Sequence, residues 1–212
     1  MYISQTLRRA VQLNGQGTAT VFAGRRQTWR EFEDRIACLA NGLLSLGVNA
    51  GDRVAILALN SDRYLEYFYA VPWAGAAVNP VNIRLAPPEI AYTLNDSGSK
   101  VLFVDDTFAA LLPSLQPQLE SIKHVVFMGE GECPQGCIDY ESLVANADRI
   151  RDANAGGDDL AGLFYTGGTT GRSKGVMLSH DNLVFNALNV VAEMGYDSDT
   201  CLLYTSDAAD DP

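Results

Sequence analysis

Cysteine, histidine and positive charge are all scarce in this chain, and each shortage removes a class of function. Four cysteines among 212 residues do not make a disulfide framework, and reduced thiols fit a cytosolic setting. Cys133 and Cys137 share a Gly/Pro loop with only His124 nearby in sequence. That is too few donors for zinc, which normally takes three or four protein ligands, so no metal site is expected there. Lys and Arg number 15 against 26 Asp and Glu, a formal net charge of -11. This argues against a nucleic-acid or anionic-membrane surface, since both partners reward positive charge. The apolar runs are too short to span a bilayer, and the opening MYISQTLRRA lacks the apolar core of a secretory signal. A cytoplasmic location is therefore expected. The P-loop of the common NTPases is also missing. That signature sets Gly directly before Lys and Ser or Thr directly after it, whereas here Ser173 precedes Lys174 and Gly175 follows.

What the chain does have is a dense run of small and hydroxylated residues, YTGGTTGRSKGV, over residues 165–176. Gly167, Gly168 and Gly171 remove the Cβ atoms that would hold a backbone away from an anion, and they allow successive N–H groups to form one concavity. Thr166, Thr169, Thr170 and Ser173 add hydroxyl donors, and Lys174 adds a mobile positive charge suited to phosphate oxygens. Upstream, LAGLFYT over residues 160–166 reads as a buried strand, and GVML over residues 175–178 reads as a second short strand. A hairpin would then present the phosphate-binding groups, with no helix N-terminus required.

Elsewhere strand and helix patterns alternate. Thr28 followed by Glu31 makes a capping box, and Trp29, Phe32, Ile36, Leu39, Leu43 and Leu46 recur at helical spacing until Gly47. Apolar runs over residues 53–59, 75–82, 101–104 and 124–128 predict strands. Helices are expected after Ser61, from Pro87, and in a Pro-interrupted form over residues 108–119. The economical architecture is α/β, a mostly parallel sheet with helices on both faces. Asp105 and Asp106 read as a solvated strand terminus. The polar stretch over residues 146–159 reads as a linker, with the glycine-rich loop opening a second sheet. Ser179 can cap a helix from about residue 181 to Met194, ended by Gly195. His180, at that cap, reads first as a side chain holding local backbone and second as part of a nucleotide-pocket wall.

The run LFYTGGTTGRSK, residues 163–174, resembles the AMP-binding signature of the adenylate-forming enzymes, which include acyl-CoA synthetases, peptide-synthetase adenylation domains and luciferases. The similarity continues through GVMLSHDNL, residues 175–183, and spans roughly residues 1–200. The resemblance implies an N-terminal α/β subdomain over residues 1–157 and the first strands of a second subdomain over residues 158–200. It also implies that Thr166, Gly167, Gly168, Thr169, Thr170, Gly171 and Lys174 hold the β- and γ-phosphates of ATP while a carboxylate attacks the α-phosphorus. An acyl-adenylate and pyrophosphate form, and a thiol, usually of coenzyme A, then takes the acyl group. The acid it implies is a fatty or related acyl acid. The family's adenine-binding loop, Thr/Glu that helps hold Mg2+, ribose-binding Asp and mobile C-terminal domain with its catalytic lysine all fall later than this sequence reaches. Lys174 is not that lysine, and no catalytic residue is expected in the chain itself.

The tail CLLYTSDAADDP, residues 201–212, breaks the pattern, and its first ten residues resemble the translation of a transposase adapter used in preparing sequencing libraries. Those residues are expected to be an artefact joined to an interrupted reading frame, and the chain alone is expected to be inactive. Other readings of the residues are an adenylation domain for an amino acid or for loading a carrier protein, a phosphotransferase or ATPase using the same loop, and a nucleotide-binding module without ligase activity.

Overall fold

The computed structural model, which describes residues 1–167, 172–197 and 200, alternates strand and helix over most of its length. In chain order the elements are α1 (Ser4–Asn14), β1 (Thr18–Phe22), β2 (Arg25–Thr28), α2 (Trp29–Ser45), β3 (Arg53–Leu57), α3 (Asp62–Trp73), β4 (Ala77–Pro80) and α4 (Pro87–Asp96). They continue with β5 (Val101–Val104), α5 (Asp106–Ala109), α6 (Leu112–Leu115), β6 (His124–Phe127), β7 (Ile138–Asp139), α7 (Tyr140–Ala145), β8 (Leu160–Thr166), β9 (Lys174–Ser179) and α8 (His180–Met194). Seven strands form one sheet in the order β7-β6-β5-β3-β4-β8-β9, and β1 pairs with β2 in a separate hairpin. Every neighbour in the large sheet is parallel except β8 and β9. Among the described residues no helix is long and apolar enough to cross a membrane.

The continuous apolar strands are explained by helices on both faces, because successive side chains of a strand point in opposite directions. Val54, Ile56, Val101 and Phe103 face a core shared with Phe32, Ile36 and Leu39 of α2 and Tyr67 of α3. Their alternates Ala55, Leu57, Leu102 and Val104 face a second core with Ile90 and Leu94 of α4 and Leu112 and Leu115 of α6. Local signals place the helices. The Thr28 side chain accepts from the Glu31 amide while Glu31 returns to the Thr28 amide, which starts α2. Ser61 accepts from the Tyr64 amide at the start of α3, and Pro72 stands one residue before that helix ends.

Three expectations are corrected. The helix expected over residues 108–119 is broken into α5, α6 and a single 3-10 turn at Gln116–Gln118. Pro113 and Pro117 near the starts of the latter two cannot donate to a continuing helical ladder. Asp105 and Asp106 are not merely solvated: Asp105 accepts from the amides of Leu59 and Phe108, at 2.8 and 3.1 Å, and Asp106 from those of Glu130 and Gly131, at 2.7 and 3.0 Å. Together they staple loops at the strand ends. The stretch over residues 146–159 is not a free linker either. Asp152 is buried, accepting from Ser4 Oγ at 2.5 Å and pairing with Arg8 at 2.9 Å, and the Trp73 indole donates to the Ile150 carbonyl at 3.1 Å. Among the described residues, β8 pairs in parallel with β4 at Val78 and Gly162 and so continues the same sheet.

Candidate functional site

The hairpin of β8 and β9 carries the glycine-rich loop, and its register sets the loop's base. Thr166 stands opposite Lys174, with Tyr165 opposite Gly175. Of the residues expected to hold phosphate, Thr166, Gly167 and Lys174 are exposed around this base, while Gly168, Thr169, Thr170 and Gly171 lie outside the described residues. Since β8 runs parallel to β4, the loop leaves the sheet from the edge where the carboxyl ends of β3 to β6 also emerge. In open parallel sheets that edge is where ligands bind.

Two glycines play opposite parts here. A Cβ on Gly162 would stand 2.7 Å from Val78 Cγ2 and 3.0 Å from the Val78 carbonyl oxygen, so this glycine lets β8 dock closely on β4. Among the described residues, a Cβ on Gly167 would meet nothing within 4 Å, so none of them requires a bare backbone at that point.

Charge at the loop is locally positive although the chain is acidic. Arg25, Arg35, Arg63 and Arg149 are each taken up by carboxylates, whereas Lys174 has no ion-pair partner among the described residues. An ammonium left unneutralised beside exposed hydroxyl and amide groups is suited to phosphate oxygens. Tyr165 points away from this edge of the hairpin, and its phenol donates to Asp96 Oδ2 at 2.6 Å. Burial, and then that bond to Asp96, push its ionisation well above the usual tyrosine range, so it remains a donor at any physiological pH. No group of three or more His, Cys, Asp or Glu side chains able to hold a metal ion occurs among the described residues.

His180 is 1% exposed at the start of α8, where Ser179 supplies the cap, and its Nδ1 accepts from the Ile3 amide at 3.3 Å. An accepting Nδ1 fixes the neutral ring with its proton on Nε2, which has no hydrogen-bond partner among the described residues. His180 thus holds the backbone of the N-terminal arm. Burial lowers its pKa below the ordinary value of 6.5, overcoming the opposing pull of Asp159 and Asp152. The unfolded chain therefore binds a proton that the folded one resists, and stability falls as pH drops below about 6.5. His180→Asn is expected to flatten that acid-side slope in urea unfolding, and an unchanged slope would remove His180 from the account.

A family model described as "AMP-binding enzyme" matches residues 7–209. A long-chain-fatty-acid–CoA ligase of Thermus thermophilus is 42% identical over 164 residues, covering 77% of this chain and 30% of its own length. A feruloyl-CoA synthase of an Amycolatopsis species is 38% identical over 191 residues, covering 90% of this chain and 36% of its own. The crystal structure of the anthranilate CoA ligase AuaEII in complex with anthranoyl-AMP superposes with a TM-score of 0.83 at 28% identity, over 89% of this chain and 36% of that one. The chain thus spans about a third of the length of the proteins it matches, 30% to 36% in these three.

Proposed function

The chain belongs to the AMP-binding enzyme family, and from that premise we propose that it forms the amino-terminal part of an ATP-dependent carboxylic acid:CoA ligase of about the length its relatives have. The observation that carries the reading is the hairpin base, where Lys174 faces Thr166 across the ladder and Gly167 leaves the backbone open. The names of the relatives, a fatty-acid ligase and a feruloyl-CoA synthase, support a carboxylic acid as substrate, and we favour a fatty or related acyl acid.

In this reading a carboxylate oxygen forms a bond to the α-phosphorus of ATP while the bond from that phosphorus to the bridging oxygen breaks. The electron pair leaves with pyrophosphate. The groups of this hairpin hold the β- and γ-phosphates, so Lys174 and the amides near Gly167 stand where negative charge grows as the bond breaks. Stabilising charge that develops in the transition state is the largest contribution a protein makes to such chemistry, alongside alignment of the reactants. The thiol of coenzyme A then attacks the acyl carbon, and AMP leaves. In this reading the residues that bind adenine and ribose, hold magnesium and name the acid belong to the remainder of the ligase.

Exchange of labelled pyrophosphate into ATP by the full-length protein tests this. Exchange that requires a carboxylic acid supports adenylation, and exchange without one overturns it.

A further inference from the structure

Both legs of the glycine-rich loop are tied to one face of α4. On the entering leg, the Tyr165 phenol donates to Asp96 at 2.6 Å. On the returning leg, the Arg172 guanidinium lies 5.2 Å from the centroid of the Tyr92 ring. Tyr92 and Asp96 are four positions apart within one helix, so they project from the same face one turn from each other. Two unlike contacts, one to each side of the loop, thus converge on neighbouring points of a rigid element.

The chemistry of the two contacts differs in a useful way. Among the described residues Arg172 has no carboxylate partner, and an aromatic face attracts a guanidinium without neutralising it. Its positive charge remains available to phosphate. The Tyr165 to Asp96 bond gives the Asp96 carboxylate a neutral donor, so it draws on neither cation of the hairpin. Holding both flanks of a binding loop in place lowers the ordering cost of binding a ligand.

We propose that Tyr92 and Asp96 are positioning residues for the phosphate loop: α4 clamps its two legs, Asp96 through Tyr165 and Tyr92 through Arg172. The proposal rests on the nucleotide-binding reading of the hairpin and deepens it.

The test uses the full-length protein with Tyr92→Ala, Tyr92→Phe, Asp96→Asn and Tyr165→Phe. KM for ATP and KM for the acid are read separately by pyrophosphate exchange, and deuterium uptake is followed over residues 163–167 and 172–176. Tyr92→Ala is expected to raise KM for ATP about two- to fivefold, the range that one cation-aromatic contact spans, with KM for the acid unchanged. Tyr92→Phe keeps the aromatic face and should restore it. Asp96→Asn and Tyr165→Phe should each raise KM for ATP, and the double variant should add less than their sum. Uptake should quicken in the loop flanks while β3 to β6 stay protected. If KM for ATP and flank uptake both stay at wild-type levels in Tyr92→Ala and Asp96→Asn, the clamp is overturned. A parallel rise in KM for the acid would overturn it too, as the mark of general loosening. Should the wild type show no acid-dependent exchange, the ligase reading falls, and flank uptake alone then decides the clamp.

Discussion

Gly167→Val lowers kcat/KM for ATP on the order of a hundredfold in the full-length protein and leaves its unfolding midpoint where it was. The two halves of that expectation come from one fact. Among the described residues nothing lies within 4 Å of a Cβ at Gly167, so they accommodate the new side chain without moving. Any loss therefore falls on what approaches from outside, which in the proposed reading is phosphate. The magnitude follows from the cost of losing one well-placed donor at a site that stabilises developing charge, because the valine side chain blocks approach to the amide it leaves in place. Gly162→Val is the control. Its Cβ would stand 2.7 Å from Val78 Cγ2 at the Val78–Gly162 rung that joins β8 to β4, so there the substitution costs stability. Unaltered kinetics in Gly167→Val, or unfolding in place of lost turnover, would count against the phosphate role.

Glu66→Ala destabilises the fold by about 3–5 kcal/mol, the cost of breaking a buried ion pair from one side. Glu66 is wholly buried on α3, where its carboxylate accepts from Arg35 Nε at 2.7 Å, Gln27 Nε2 at 2.9 Å and the Tyr140 phenol at 2.5 Å. One side chain thereby links β2, α2, α3 and α7. Burial alone would depress the ionisation of Arg35, but its bonds to Glu141 and Glu66 outweigh that and hold it charged. Removing the carboxylate leaves Arg35 to Glu141 alone, and leaves the Gln27 amide and the Tyr140 phenol without this acceptor in the interior. For a protein of this size the loss corresponds to a fall in Tm of roughly 6–20 °C. Differential scanning calorimetry checks it, and a fall under about 3 °C would show that water replaces the carboxylate at little cost.

Local chemistry made much of the fold legible. The Thr28 and Ser61 caps, the helical stripe through Phe32, Ile36 and Leu43, and the short apolar strands are all written within a few neighbouring residues, and each is present where its signal stands. The hairpin of β1 and β2 escaped because its turn is Ala23 and Gly24, with φ of 48 and 79, and not the Asn-Gly or Asp-Gly pair that announces such turns. The two-residue strand β7 is too short to carry a period. The polar stretch over residues 146–159 looked like a linker because composition does not disclose that the partner of Asp152 is Ser4, 148 positions away. For the site, the loop's residue types point to phosphate, a reading that the proposed experiments test, whereas its supports are long-range: Asp96 meets Tyr165 across 69 positions. Nothing in the pattern around Tyr92 and Asp96 signals that α4 faces the hairpin, and only the parallel pairing of β8 beside β4 brings them together.

The central claim is that this hairpin belongs to an enzyme that activates a carboxylic acid by adenylation, and acid-dependent exchange of labelled pyrophosphate into ATP tests it most directly. With a panel of fatty and aromatic acids offered to the full-length protein, the account predicts that label enters ATP only when an acid is present, and that Gly167→Val suppresses it. Label entering ATP with no acid, or no label with any acid while ATP still binds, would contradict it.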